Sequence, residues 1–303
     1  MSGFILFSLF LINIKNLKDF LICFLFKEFM NLEKFEINGY KFVYIYEPNR
    51  KISLIQAFVL AGSYNENRKE LGISHLVEHI LIDSWYKCTK GPKGPKGCKK
   101  YWANKGTLVN AYTSRNLVSY FIIGLNKYLN DMIDYILNIV IRPDYDSSII
   151  NKCKKAITEE LLNSLNNPLM SLYNKFYETI YREFNDGRKE IINYQSKLEN
   201  LNKVTKKMID SYFQKYYIKN NIIFTIVTSE PKSSIINNIE LTLKTHERIP
   251  DGITDGIYKG IPDGIHKRIP EGILKKSIKI PGLKKINYIV GFYCTPENYF
   301  INI

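Results

Sequence analysis

The chain has 303 residues, 45% apolar and 14% aromatic, which excludes wholesale disorder and allows one large domain or two ordinary ones. No uninterrupted apolar run reaches the roughly 18 residues of a membrane-spanning helix, which excludes a bundle of such helices. The formal net charge of +14 would ordinarily point to an acidic partner. Here it accompanies abundant Ile, Asn, Lys, Tyr and Phe, whose codons can be A/T-rich, and the lysines collect on no recognisable helix face.

Residues 4–14 (FILFSLFLINI) and Phe20 to Phe26 are apolar runs separated by Lys15, Lys18 and Asp19. No basic stretch precedes them and no small-residue cleavage site follows, so a secretory signal fits poorly. Residues 1–34 read as an apolar N-terminal extension, with membrane association through 4–26 disfavoured. From Phe35 the pattern alternates, and FEINGYKFVYIYEP reads as two short strands around Asn38-Gly39. ISLIQAFVLAG (52–62) is a third, mostly buried strand. The polar turn SYNENRKE leads into LGISHLVEHILIDSW, where Ile73, Leu76, Val77, Ile80 and Leu81 recur at helical spacing and predict a buried helix. Residues 87–100, KCTKGPKGPKGCKK, read as an exposed basic loop.

GTLVNAYTS and NLVSYFIIG follow as a strand pair, then YLNDMIDYILNIVIRP as a helix stopped before Pro143. SSIINKCKKAITEELLNSLNN is a long amphipathic helix ending ahead of Pro168. Helical stretches at 169–184 and 204–217 precede a strand at 222–228. This order predicts an α+β domain over 35–245, a mainly antiparallel sheet covered by helices. Residues 246–283 repeat RIPDGI, TDGI and RIPEGI phrases, too rich in Pro and Gly for a helix and too irregular for a solenoid, and read as a linker. Residues 284–303 open a second unit that the chain does not complete. The five cysteines, Cys23, Cys88, Cys98, Cys153 and Cys294, are odd in number and irregularly spaced, which favours an intracellular reducing compartment over a disulfide scaffold.

The chemistry concentrates in His75, Glu78 and His79, which form H-x-x-E-H inside the predicted helix. Residues four apart share a helical face, so the two imidazoles can chelate one Zn²⁺, and Glu78 lies beside that face within reach of a metal-activated water. A buried carboxylate between two imidazoles costs desolvation free energy unless a cation accompanies it. A catalytic zinc site needs a third protein ligand, and with no further histidine nearby a carboxylate on a facing helix should supply it. The helix around KKAITEELLNSL offers Glu159 and Glu160. Of these, Glu160 adjoins the apolar stripe of Ile157, Leu161 and Leu165.

H-x-x-E-H resembles the inverzincin motif of the pitrilysin/insulinase family of zinc metallopeptidases. AGSYNENRKELGISHLVEHIL is similar to that family's zinc helix and its lead-in. LVNAYTSRNLVSYF resembles the strand pair behind it, KKAITEELLNSLNNP the helix bearing the glutamate ligand, and YYIKNNIIFTIVTSE the close of the family's first domain. The resemblance covers about Phe35 to Glu230. It implies one Zn²⁺ per chain held by His75, His79 and Glu160, with Glu78 as general base in peptide hydrolysis. It further implies that Asn110 and Ala111 hold the backbone of an extended peptide substrate by strand addition. Family members enclose substrate between two such halves, so a second pitrilysin-like chain is expected to complete the chamber. Cys153 stands seven residues before Glu160, where family members commonly carry a supporting acid. An inactive homologue acting as a binding or assembly subunit is the alternative. Specific nucleic-acid binding is not expected, since interleaved aromatics and phosphate-cradling glycines are missing.

Overall fold

A computed structural model describes residues 31–84, 97–172, 174 and 193–244, with two short pairs at 276–277 and 289–290. The strands are β1 (Asn31–Ile37), β2 (Tyr40–Tyr46), β3 (Ile52–Val59), β4 (Leu108–Thr113), β5 (Val118–Leu125) and β6 (Ile222–Thr228). The helices are α1 (Ile73–Asp83), α2 (Gly97–Asn104), α3 (Leu129–Ile141), α4 (Ser147–Asn166), α5 (Tyr194–Leu201), α6 (Lys206–Tyr216) and α7 (Lys232–Lys244).

Asn38 at φ 51° and Gly39 at φ 81° turn β1 back onto β2, the left-handed pair that a tight hairpin requires. β1 begins at Asn31, so the N-terminal extension is shorter than the expected 1–34, because Leu32 pairs with Ile45 in the same ladder as Phe35 with Phe42. The six strands lie in the order β1-β2-β6-β3-β5-β4, and every pairing is antiparallel except β2 with β6. β6 can occupy the middle because its run IIFTIVT is apolar on both faces, as a strand covered on both sides must be.

The described helices contribute to one large core on one side of the sheet, where α1 packs Ile73, Leu76, Val77, Ile80 and Leu81 into full burial. Each such aliphatic side chain contributes roughly 1.5–3 kcal/mol by leaving water, so Leu76→Asp would detach the helix. The opposite face holds a smaller cluster centred on Ile45, Leu54 and Val227. β4 forms one edge of the sheet, and α1 packs against it.

Three helices fall outside the expectations from sequence, among them α7, which follows β6 where no element was expected. α2 begins at Gly97, so the last residues of the expected 87–100 loop are helical, while 85–96 lie outside the described residues. α5 is too short for a periodic signal, and its role emerges only from its contacts. The helix expected over 169–184 falls mostly outside the described residues, as do Cys23, Cys88, Cys294 and residues 4–26. Of the last 58 residues, only β7 (Lys276–Ser277) and β8 (Ile289–Val290) are described, as a two-stranded antiparallel pair between the end of the linker and the final segment. Among the described residues no helix is long and apolar enough to cross a membrane.

Candidate metal centre and active-site cleft

α1 starts after Gly72, whose φ of 86° is a left-handed conformation that glycine adopts without a Cβ penalty. The N–H groups of Gly72 and Ser74 donate to the Glu66 carboxylate at 2.8 and 3.0 Å, and the Ser74 hydroxyl donates to it as well. A carboxylate here meets both the unpaired donors and the positive end of the helix. Burial pushes the Glu66 pKa up, against the Lys197 charge and the hydrogen bonds, which pull it down. From α5, the Asn200 amide donates to the carbonyls of Lys69 and Leu71 at 3.1 and 3.0 Å, and Lys197 lies over Gly72. The turn that launches α1 is therefore held from both sides.

One turn into α1 stand His75, Glu78 and His79. The two Nε2 atoms are 3.2 Å apart. Glu160 on α4 brings Oε2 to 3.4 Å from His75 Nε2 and Oε1 to 3.6 Å from His79 Nε2, each imidazole facing a different oxygen. Four donors bonded tetrahedrally at about 2.0–2.1 Å stand roughly 3.3–3.4 Å from one another, a spacing that the 3.2 Å between the two imidazole nitrogens approaches. Among the described residues these three form a group of ligand atoms lying within 4.8 Å of one another. Burial first, then the charges of His79 and Lys197, hold the His75 pKa well below its ordinary value. A neutral imidazole is the form that gives its lone pair to a metal. The donor set, two imidazoles and one carboxylate, fits a catalytic zinc.

Glu78 is 8% exposed and turned toward β4, where the Thr113 hydroxyl donates to its Oε2 at 2.5 Å. His75, Glu78, His79, Glu160, Asn110 and Ala111 all line one cleft of about 990 Å³, together with Arg115 and Lys197. All six residues singled out from sequence thus come together. Glu159 is exposed and lies outside the cleft lining.

α1 and α4 run antiparallel. His75 meets Glu160 at one end of their contact, and Asp83, eight residues on, receives Lys152, eight residues back, at 2.7 Å. The two contacts are therefore about 12 Å apart at 1.5 Å per residue. Cys153 sits beside the far contact, fully buried in the main core and roughly 10 Å along the helix axis from Glu160. Its surroundings are apolar, which suits a thiol and would be costly for an acid.

The sequence profile of Insulinase (Peptidase family M16) matches residues 41–193, about half of the chain. The chain belongs to the insulinase family. It is 25% identical over 214 residues to an uncharacterized zinc protease of Rickettsia felis, an alignment covering 71% of this chain and 50% of that protein. It is 26% identical over 180 residues to the mitochondrial-processing peptidase subunit beta of Saccharomyces cerevisiae, covering 59% of this chain and 37% of that one. The fold matches a putative M16-like peptidase from Alicyclobacillus acidocaldarius with a TM-score of 0.59 at 17% identity, covering 71% of this chain and 50% of the other. A protease from Helicobacter pylori matches with a TM-score of 0.58, also at 17% identity, covering 73% and 53%. This insulinase-family chain spans about half the length of the zinc protease relative and of both structures, and less of the processing-peptidase subunit.

Sequence reasoning passed over Glu66, Thr113 and Asn200. Glu66 carried a signal, an acid shortly before a Gly-led helix start, but it stands in a turn crowded with other polar residues. Thr113 and Asn200 act through contacts 35 and more than 120 residues away in sequence, and no local pattern marks them.

Proposed function

We propose that this insulinase-family chain is a zinc-dependent endopeptidase in which His75, His79 and Glu160 hold the metal and Glu78 is the general base. The observation that carries the reading is the convergence of two imidazole nitrogens and the Glu160 carboxylate, one ligand atom from each within 4.8 Å of one another, with the Glu78 carboxylate in the same cleft. Zinc bound there would supply positive charge that polarises a peptide carbonyl and acidifies water. Glu78 takes the proton of the attacking water at Oε1 and delivers it to the nitrogen of the departing amine, so the carboxylate ends as it began. Its low exposure keeps bulk water from competing for that proton.

Substrate enters as an extended strand along β4, which has no neighbouring strand on its outer side among the described residues. The Ala111 N–H is held at 2.9 Å by the Asn110 amide oxygen, a contact that an incoming strand replaces. Peptides and short unfolded segments meet this requirement, whereas folded proteins do not. Two similar proteins carry the names mitochondrial-processing peptidase subunit beta and cytochrome b-c1 complex subunit 1, and this chain spans half or less of their length. A second insulinase-like chain closing over the cleft accords with the word subunit in both names.

The test is hydrolysis of a mixed peptide pool by the zinc-loaded chain, run beside Glu78→Gln at matched zinc content. Cleavage that disappears in the variant supports the proposal. Stoichiometric zinc without cleavage indicates a centre that works only with its partner chain. Neither zinc nor cleavage overturns the proposal in favour of a binding or assembly subunit.

A further inference from the structure

The mechanism needs one oxygen of Glu78 aimed into the cleft, yet a glutamate has three side-chain torsions and loses considerable rotamer entropy when fixed. The helix alone does not fix it, because α1 determines only where Cα and Cβ stand. The Thr113 hydroxyl donates to Oε2 at 2.5 Å, a bond between two elements 35 residues apart. Thr113 is the last residue of β4, on the edge of the sheet, and its side chain shares a face with Ala111, two residues earlier. Ala111 packs against the main core beneath the cleft, so the small side chain at 111 and the hydroxyl at 113 together shape the side of the cleft on which Glu78 lies.

The backbone carrying Thr113 is itself anchored. The Thr113 position pairs with Val118 in the β4–β5 ladder, and the next residues are bound by the turn after β3. The Ser63 N–H donates to the Ser114 carbonyl at 3.2 Å and the Tyr64 N–H to the Arg115 carbonyl at 2.9 Å. Gly62 permits this approach, since a Cβ there would stand 2.4 Å from the Ser114 oxygen. A donor on so fixed a backbone can hold its acceptor within the few tenths of an ångström that proton transfer requires.

We infer that Thr113 is a positioning residue of the general base: its hydroxyl holds Oε2 of Glu78 and so fixes the orientation of the carboxylate that takes the proton. The assignment rests on the endopeptidase reading above. It also places base and substrate on one element, since the strand that receives the peptide at Asn110 and Ala111 also orients Glu78.

The experiment compares the full chain, Thr113→Val and Thr113→Ser, each zinc-loaded and matched in zinc content and Tm. Valine preserves the shape and removes the donor, while serine keeps the donor. With a quenched peptide substrate, valine should lower kcat by roughly tenfold to hundredfold, the range typical of lost supporting contacts, with KM nearly unchanged, and serine should restore most of kcat. A valine variant with undiminished kcat overturns the inference, and so does a serine variant as impaired as valine. If the zinc-loaded parent cleaves no peptide, the centre needs its partner chain, and crystal structures of the parent and Thr113→Val decide this assignment. A Glu78 carboxylate that leaves its position in the variant supports the inference, and one that stays overturns it.

Discussion

α1 and α4 supply the two halves of the proposed metal centre, yet they hold its candidate ligands in different ways. α1 has eight buried residues among its eleven, a carboxylate at its start and a threonine on its glutamate. α4 buries one stripe, Ile149, Ile150, Cys153, Ile157 and Leu161, and presents Glu160 from its solvent side with a side chain 52% exposed. A ligand on the first helix is fixed by packing before any metal arrives. A ligand on the second stands on a half-exposed side chain that packing holds less closely. The contrast teaches that affinity should be dominated by α1, while α4 tunes it.

The sharpest way to break that contrast is to remove an imidazole. His75→Ala or His79→Ala should abolish stoichiometric zinc retention through dialysis, read by metal analysis, because only one imidazole nitrogen and one carboxylate remain. Glu160→Gln comes next. It should weaken zinc binding by more than the roughly tenfold to hundredfold that outer contacts cost, whereas Glu159→Gln should leave a chelator titration unchanged. If both glutamines behave alike, α4 contributes no ligand and the comparison collapses.

Glu66→Gln tests the frame of α1 rather than its ligands. A glutamine cannot accept from all three donors, so one stays unsatisfied at a cost of about 1–3 kcal/mol, visible as a lower Tm together with weaker zinc binding. The same substitution removes a pH slope. Burial raises the folded-state pKa of Glu66 above its unfolded value, so between the two values the folded protein holds the extra proton and stability falls as pH rises. That fall should be present in the parent and missing in Glu66→Gln.

Cys153→Ala should lower stability by about 1 kcal/mol through lost packing and leave zinc affinity untouched, since the thiol lies two turns from Glu160. A large loss of zinc would mean that the far end of α4 reaches the metal after all. The smallest effect belongs to Asp146, which caps α4 by accepting from the N–H groups of Ser148 and Ile149 at 2.9 and 3.0 Å. Those bonds hold its pKa below the ordinary carboxylate value. Its contribution is present above that ordinary value and fades as pH falls through the folded-state pKa, so Asp146→Ala and the parent should converge in acid thermal melts.

Sequence made the α1 half of the centre legible because its chemistry is local: two imidazoles and a carboxylate within five residues, on a helix whose apolar spacing is plain. Glu160 was reachable only by combining an apolar stripe with a family resemblance, since an exposed glutamate beside another exposed glutamate carries no pattern of its own. Most strands and helices were legible for the same reason, with β6 read to the residue from its apolar run. The sheet order was not. Nothing in IIFTIVT says that it slots between the second and third strands, because β pairing is decided by surfaces brought together from distant parts of the chain. α5 escaped notice because an eight-residue helix offers barely two turns of periodicity.

The place of β6 has a consequence for how the protein is made. β2 and β3 are separated by five residues in the chain but by a whole strand in the sheet, and the gap is filled by residues 222–228. A nascent chain can form the first hairpin and the β4–β5 pair as soon as each emerges. The two cannot join into one sheet until synthesis has passed Thr228, some 180 residues after β2. Closing so long a loop is slow, so until then the ribosome carries two unmatched strand edges, an opening for chaperones to cover. It also means that the metal centre, complete in sequence by Glu160, acquires its supporting sheet only when that last strand arrives.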